Sequence, residues 1–403
     1  MPKLINKYDK ILVKNMQKTN LDSVKEIMLD FASATGLEPV RSNPRRYLWT
    51  DAFAVCNYLE LFRQTNDKTY LDLALHLVNQ VHHTLGKHRK DDTRIGWISG
   101  LDEGEGELHP TKGGLRIGKL LPERKSDERF DERLEWDQDG QYYHYLTKWM
   151  HALNRVSQVS GNPAYLRWAI ELAQTVNARF TYSTSPGSQK RMHWKMSIDL
   201  TYPLVPSMGQ HDPLDGFITY SELQAAAKDF KQLSELDLST EINDMADIYK
   251  GQSMVTADPL GIGGLLSDAS RTAQLMIHGF SYMNLLEKIV DSSLPGIGSF
   301  VAGNSIDLPA EYRLAFRELG LSIGLKGVEK LLESIKENPD LFDRKNSLQQ
   351  QVESLVRYKP VGEAIDQFWM NNKNRKHHNW TDHQDINMVM LATSLAPDEF
   401  LRI

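Results

Sequence analysis

Two acids stand two residues apart beside a tryptophan in the run Leu134 to His151, Leu-Glu-Trp-Asp-Gln-Asp-Gly-Gln-Tyr-Tyr-His-Tyr-Leu-Thr-Lys-Trp-Met-His. The same association recurs at Trp49-Thr50-Asp51 and at Trp380-Thr381-Asp382, each ahead of an apolar run. Cleaving a glycosidic bond needs two carboxyl groups, one to protonate the leaving oxygen and one to act as base or nucleophile. Flat aromatic rings stack on the apolar faces of sugars. Asp137, Asp139, Asp51 and Asp382 are therefore the candidate catalytic acids. Each is equally suited to capping a helix, because a side-chain oxygen there satisfies an unpaired N–H. Asp137 is the acid that capping does not require if Asp139 takes that role.

Other side chains add to this set. Trp49, Trp97, Trp136, Trp194 and Trp380 fall in loops or at helix starts, where they could contact a ligand, whereas Trp149 and Trp168 sit inside helical stripes and read as core. Tyr143 belongs to the aromatic run that follows Asp139, and Arg191 and His193 on an alternating segment could hold a sugar carboxylate. His211 directly precedes the helix start Asp212-Pro213-Leu214, which makes it the preferred histidine for proton transfer. Asp212 and Asp258, each followed by Pro-Leu, are explained by N-capping with proline in the first helical position. His144 and His151 share one helical face around Lys148 and read as a satisfied, partly buried pair. His377, His378 and His383 crowd against Asp382 and Asp385, with His383 a candidate for substrate contact. Their spacing matches no specific zinc motif, so no metal is assigned.

Positioning such groups requires a scaffold, and the pattern along the chain is helical. Apolar residues recur at helical spacing from Leu21 to Ala34 and in two paired runs, Tyr47 to Phe62 with Tyr70 to Leu85, and Tyr142 to Val159 with Pro163 to Phe180. The connecting turns of the two pairs echo one another, the signature of a repeat architecture. Further helical runs are expected at Leu265 to Ile277, Phe280 to Val290, Pro309 to Leu319, Ile323 to Ile335, Leu348 to Val356, Val361 to Met370 and Ile386 to Leu395. The polar, glycine-rich segment 86–135 is too long for an idle connection, and residues 181–210 alternate as a short β-hairpin does. The expectation is an all-α fold of helical hairpins forming one domain over residues 1–403, with insertions at 86–135 and 181–210.

One member of each hairpin is apolar on most sides and the other is amphipathic, which suggests an inner ring buried by an outer one. With the Trp-Thr-Asp and Trp-Asp helix starts and the outer-helix start Asn162-Pro163-Ala164-Tyr165-Leu166, the chain resembles the (α/α)6 toroids of the six-hairpin glycosidase superfamily over nearly its whole length. No motif assigns a family within it. The resemblance implies a carbohydrate site at the mouth formed by the amino-terminal ends of the inner helices, expected to begin at Trp49, Asp139, Asp212, Asp258, Leu308 and Asp382. Helix starts carry unsatisfied N–H groups and positive dipole ends, which independently favours acids at that mouth. Ring closure would make the first and last inner helices neighbours and place Asp51 and Asp382 on adjacent starts.

The 403 residues carry 47 basic and 53 acidic side chains, a net charge of -6 that favours no nucleic-acid partner. Walker, dinucleotide and Gly-Xaa-Ser-Xaa-Gly signatures are absent, so no nucleotide cofactor and no serine nucleophile is expected. The single cysteine, Cys56, excludes an internal disulfide. The first ten residues lack the apolar core of a leader, and no apolar stretch is long enough to span a membrane, so a cytoplasmic protein without a membrane partner is expected. The functional expectation is a glycoside hydrolase acting on a small carbohydrate or oligosaccharide without a cofactor. Its alternatives are a sugar isomerase or epimerase using His211, His193 or His383, and a non-catalytic carbohydrate-binding protein.

Overall fold

The computed structural model describes residues 20–403 apart from 186–187, 234 and 343–346. The amino-terminal residues on which the leader reading rested lie outside it. Helix α1 covers residues 20–35, followed by α2 (Leu48–Thr65) and α3 (Lys68–Leu85). Next come α4 (Tyr143–Ser160), α5 (Pro163–Phe180), α6 (Asp212–Ala227), α7 (Ser239–Tyr249), α8 (Pro259–Ile277) and α9 (Met283–Ala302). The chain ends with α10 (Ala315–Glu337), α11 (Ser347–Val356), α12 (Lys359–Met370), α13 (Gln384–Leu395) and the single turn α14 (Asp398–Leu401).

Six of these helices form a closed inner ring: α2 packs on α4, α4 on α6, α6 on α8, α8 on α10, α10 on α13, and α13 returns to α2. This is the (α/α)6 toroid. The reason is visible in burial. Fourteen consecutive residues of α2, Leu48 to Leu61, are buried on every side, whereas α3 buries a stripe that includes Leu73, Leu77, Val81 and Leu85 and leaves its other face to solvent. At the closing seam Asn57 of α2 donates to the Val389 carbonyl of α13 at 3.0 Å and accepts from the Thr393 hydroxyl at 2.8 Å. Outside that seam α1 backs α2, with the Tyr58 hydroxyl donating to the Met28 carbonyl at 2.9 Å.

Two details differ from the sequence reading. The runs around Pro309 to Leu319 and Ile323 to Ile335 form one helix that begins at Ala315, because Ser305–Asp307 and Ala310–Tyr312 form 3-10 turns instead. The alternating segment is more than a hairpin. Strand β1 (Gln141–Tyr142) pairs antiparallel with β4 (Lys195–Met196), which pairs with β5 (Pro203–Val205), while β2 (Thr181–Tyr182) pairs with β3 (Arg191–Met192). The three-stranded piece ties the start of α4 to the loop before α6.

The hole of the ring is plugged at one end by α14. Phe400 stacks on Phe53, ring centres 4.4 Å apart, and its carbonyl accepts from His151 at 3.0 Å. Arg155 reaches Glu399 at 2.8 Å, and Gln274 donates to the Leu401 carbonyl at 2.7 Å. Among the described residues no helix is long and apolar enough to cross a membrane.

Glycines set the closest approach in the ring. A methyl group at Gly263 of α8 would sit 2.0 Å from the Gly320 carbonyl oxygen of α10, and one at Gly324 would sit 2.5 Å from the Gly263 carbonyl, whereas Gly264 faces open space. Gly263→Ala is expected to destabilise the fold by on the order of 2 kcal/mol through overpacking. Gly264→Ala is expected to stabilise it by about 0.5–1 kcal/mol, since a helical glycine without a packing role carries only an entropic cost. Urea midpoints of the two variants, measured side by side, decide the point.

Candidate active site

The unplugged end of the ring opens into a cavity of about 330 Å³ reached by the amino-terminal halves of the inner helices. That volume falls at the small end of the usual range for small-molecule sites. Trp49 and Phe53 of α2, Trp194 and Phe400 supply its rings. Its polar groups come from three adjacent helices: His144, Lys148 and His151 of α4, Asp212 and Asp215 of α6 with His211 before them, and Asp258, Asp268 and Arg271 at and along α8. Residues four and three apart on a helix share a face, so His144, Lys148 and His151 project together, as do Asp268 and Arg271.

Arg271 is the hub of the cavity floor. It donates to Glu222 at 2.6 Å, to Thr219 at 3.1 Å, to Asp268 at 3.2 Å and to Asp215 at 3.4 Å. Asp215 also takes the Lys148 ammonium at 2.7 Å and the Thr147 hydroxyl. Burial raises the proton affinity of Asp215, but Lys148 and Arg271 outweigh it and hold the carboxyl below its ordinary range. Glu222 behaves alike, with His151 at 2.8 Å and Arg271 overcoming its desolvation.

Asp212 is in the opposite situation. It is the first residue of α6, yet its side chain caps nothing, and its Oδ2 is buried without a hydrogen-bond partner. Its nearest ionisable contact is the His144 ring at 3.9 Å. Burial, followed by the negative charge of Asp215, pushes its pKa up to about 7, against the weaker pull of Lys148. Asp268 is pushed up to about 6 by burial and then Asp215, with Arg271 opposing. The cavity thus presents a carboxyl that keeps its proton near neutrality and another that loses it about one unit lower. Asp258, by contrast, does cap α8, accepting from the Leu260 N–H at 3.3 Å, and pairs with Arg317 at 2.6 Å.

Two neutral imidazoles stand at the rim. Trp194 Nε1 donates to His144 Nδ1 at 3.3 Å, so the neutral His144 ring carries its proton on Nε2, and burial lowers its pKa to about 4. His211 Nε2 lies 2.8 Å from the Met254 carbonyl, which can only accept, and this leaves Nδ1 as the basic nitrogen. Burial also lowers the pKa of His211.

Of the residues given a catalytic or binding role from sequence, Trp49, Trp194 and His211 line this cavity. The others lie elsewhere. Asp139 is fully buried and knots the 86–135 segment, accepting from Arg116 at 2.7 Å, Arg89 at 3.1 Å and the Gly118 N–H at 3.0 Å. Asp51 is buried against Arg46 at 3.3 Å and the Tyr47 N–H at 2.9 Å, and burial pushes its pKa up to about 6. Asp137 and Asp382 are exposed. The acid of the last inner helix whose charge acts on Asp51 is Asp385, not Asp382, because Asp382 falls in the turn before α13 starts. Trp97 packs in the core under Lys87, and Trp380 stacks on Trp369. Tyr143 is buried with its hydroxyl donating to Tyr220 at 2.9 Å. His193 stacks on Tyr182, Arg191 is exposed, and His383 is exposed beside Phe316. Trp136 is half exposed and meets Trp194 edge-on at 5.2 Å. Among the described residues no group of three or more His, Cys, Asp or Glu side chains could hold a metal ion.

Sequence reading passed over Asp212, Asp215, Asp268, Lys148 and Arg271. A signal existed for α8, where an acid and an arginine interrupt an otherwise small and apolar helix at Asp268 and Arg271. For Asp212 the proline at the next position concealed it, since Asp-Pro at a helix start reads as a cap.

No family model matches the chain, and no curated protein matches it. Among solved structures, it is similar to an alpha-1,6-mannanase from a Salegentibacter species at 12% identity, covering 94% of this chain and 99% of that one with a TM-score of 0.46. It is likewise similar to a sugar epimerase from a ruminal bacterium (10% identity, 86% and 87% covered, TM-score 0.43) and to the cellobiose 2-epimerase of Spirochaeta thermophila (11%, 85% and 98%, 0.42).

The raised pKa of Asp212 has a consequence for stability. A carboxyl that binds its proton more tightly folded than unfolded contributes stability in full below its unfolded pKa near 3.8 and loses it as pH rises through about 7. Wild type should therefore lose stability relative to Asp212→Asn across that window, by roughly 4 kcal/mol at most. Denaturation at a series of pH values checks this, and a pH-independent difference would contradict it.

Proposed function

We propose that this chain is a carbohydrate-active enzyme that hydrolyses a glycosidic bond of a small sugar substrate in the ring cavity. The observation that carries the reading is the buried, proton-retaining Asp212, whose Oδ2 has no hydrogen-bond partner, set in an aromatic-rimmed cavity with ionised carboxylates on the same and the neighbouring helix. Asp212 is the general acid: its proton passes to the glycosidic oxygen as the bond to the anomeric carbon breaks. Asp268 is the base: water adds to that carbon and gives its proton to the Asp268 carboxylate. Asp215 is not assigned a reacting role, because Lys148, Thr147 and Arg271 occupy its oxygens. It keeps Asp212 protonated instead. Trp49 and Trp194 present the ring surface on which a sugar face stacks.

A second reading is favoured by one observation. His211 Nδ1 and His144 Nε2 are a free base and a free N–H at the same rim, which suits removing and returning a proton at a sugar carbon, as in isomerisation or epimerisation. Sugar release over a panel of oligosaccharides, run in parallel with solvent-deuterium uptake, separates the two.

Hydrolysis is expected to require Asp268 ionised and Asp212 protonated, so kcat/KM should rise through pH about 6 and fall through pH about 7. Asp212→Asn and Asp268→Asn should each lower turnover by about 10²- to 10⁴-fold, and the former should remove the alkaline limb. Asp382→Asn, on the exposed turn, should leave turnover unchanged. Full activity in Asp212→Asn would sink the assignment.

A further inference from the structure

A second hollow, about 190 Å³ in volume, adjoins the first. Its walls are Phe130, Trp136, Tyr142 and Trp194, with Glu132 and Ser207 as polar groups facing it. Trp194 belongs to both hollows. On one side its ring lies nearly parallel to His144, at 15° and 6.0 Å, beside Asp212, and on the other it meets Trp136 edge-on at 5.2 Å. The two hollows therefore share one indole.

Two features of this hollow call for a ligand. Trp136 and Phe130 are 50% and 49% exposed, although large rings are among the costliest side chains to leave in water. The backbone beneath them is also held rigidly. Lys195, fully buried, donates to the Glu135 carboxylate at 2.8 Å and to the Glu135 and Gln138 carbonyls at 2.7 and 2.9 Å. Arg124 takes the other Glu135 oxygen at 2.9 Å and reaches the Leu204 carbonyl at 3.0 Å. A buried, fully paired lysine and a bridging arginine fix the exposed indole in place, which is how a binding surface is preorganised. Apolar rings with a rim of carboxylate and hydroxyl acceptors suit a pyranose, which offers a C–H face to rings and hydroxyls to Glu132 and Ser207.

We infer that the hollow between Trp136 and Trp194 is a distal sugar subsite, and that the substrate is an oligosaccharide spanning it and the ring cavity rather than a single sugar. This rests on the carbohydrate reading above and adds the length of the substrate and the side from which it extends. The reacting unit lies at Asp212 and the next unit crosses Trp194 towards Trp136.

The test measures binding to the full chain carrying Asp212→Asn, which slows turnover, by calorimetry with glucose, mannose, galactose and xylose and their linear di-, tri- and tetrasaccharides. The expected result is a rise in affinity between the monosaccharide and a longer member of one series. Adding Trp136→Ala should lower that long-to-short affinity ratio about 3- to 10-fold, while Trp136→Phe, which keeps a ring, should retain most of it. An unchanged ratio in Trp136→Ala, or no gain in affinity with chain length while the monosaccharide binds, overturns the subsite and leaves the carbohydrate reading standing. Binding of no sugar in any series overturns both.

Discussion

Everything in the ring's interior depends on Arg271, a guanidinium buried in the axis of a toroid. A charge removed from water is tolerated only when its hydrogen bonds are met by opposite charge. Arg271 meets that condition at its two terminal nitrogens, which gather Glu222 and Asp215 from α6 and Asp268 from its own helix α8, while its Nε is buried without a partner. Those acids need further partners, so the Lys148 ammonium and the His151 ring are drawn in from α4. One buried cation thereby orders the facing sides of three inner helices. What remains is an acid that the network does not reach, and burial beside Asp215 leaves Asp212 holding its proton.

The rest of the architecture protects this arrangement. The turn α14 closes the far end of the ring with Phe400 and Glu399, so the charges have solvent on one side only. Close backbone contact at Gly263, Gly320 and Gly324 draws α8 against α10 and holds Asp268 and Arg271 towards the axis. The insertion before α4 is not idle cover. Asp139 and Glu135 bind its arginines and Lys195, and these pairings turn a long polar segment into a wall beside the mouth.

Much of the architecture could be read from residue order, and for a clear reason. All-round burial in Leu48 to Leu61 against the one-sided pattern of α3 distinguishes inner from outer helices by local composition alone. The strands at 191–205 followed from simple alternation. Less legible was α10, which read as two separate runs, Pro309 to Leu319 and Ile323 to Ile335. Gly320 and Gly324 sit where another backbone passes, and contact across the ring holds the helix through them.

The site divides differently. From its residues alone the chain specified helical hairpins with a buried inner member and an amphipathic outer one, and aromatic and histidine side chains at Trp49, Trp194 and His211 in loops or at helix starts, because periodicity and helix-start chemistry are local properties; the (α/α)6 toroid and its mouth entered through the resemblance. Tertiary structure alone decided which acids face the cavity. Asp139 and Asp212 look alike in sequence, each an acid beside a helix start, yet two arginines from the insertion that precedes it surround the first and none reaches the second. The protonation state of a buried carboxyl is set by the charges that folding brings within a few ångströms of it, and their spacing along the chain does not reveal them.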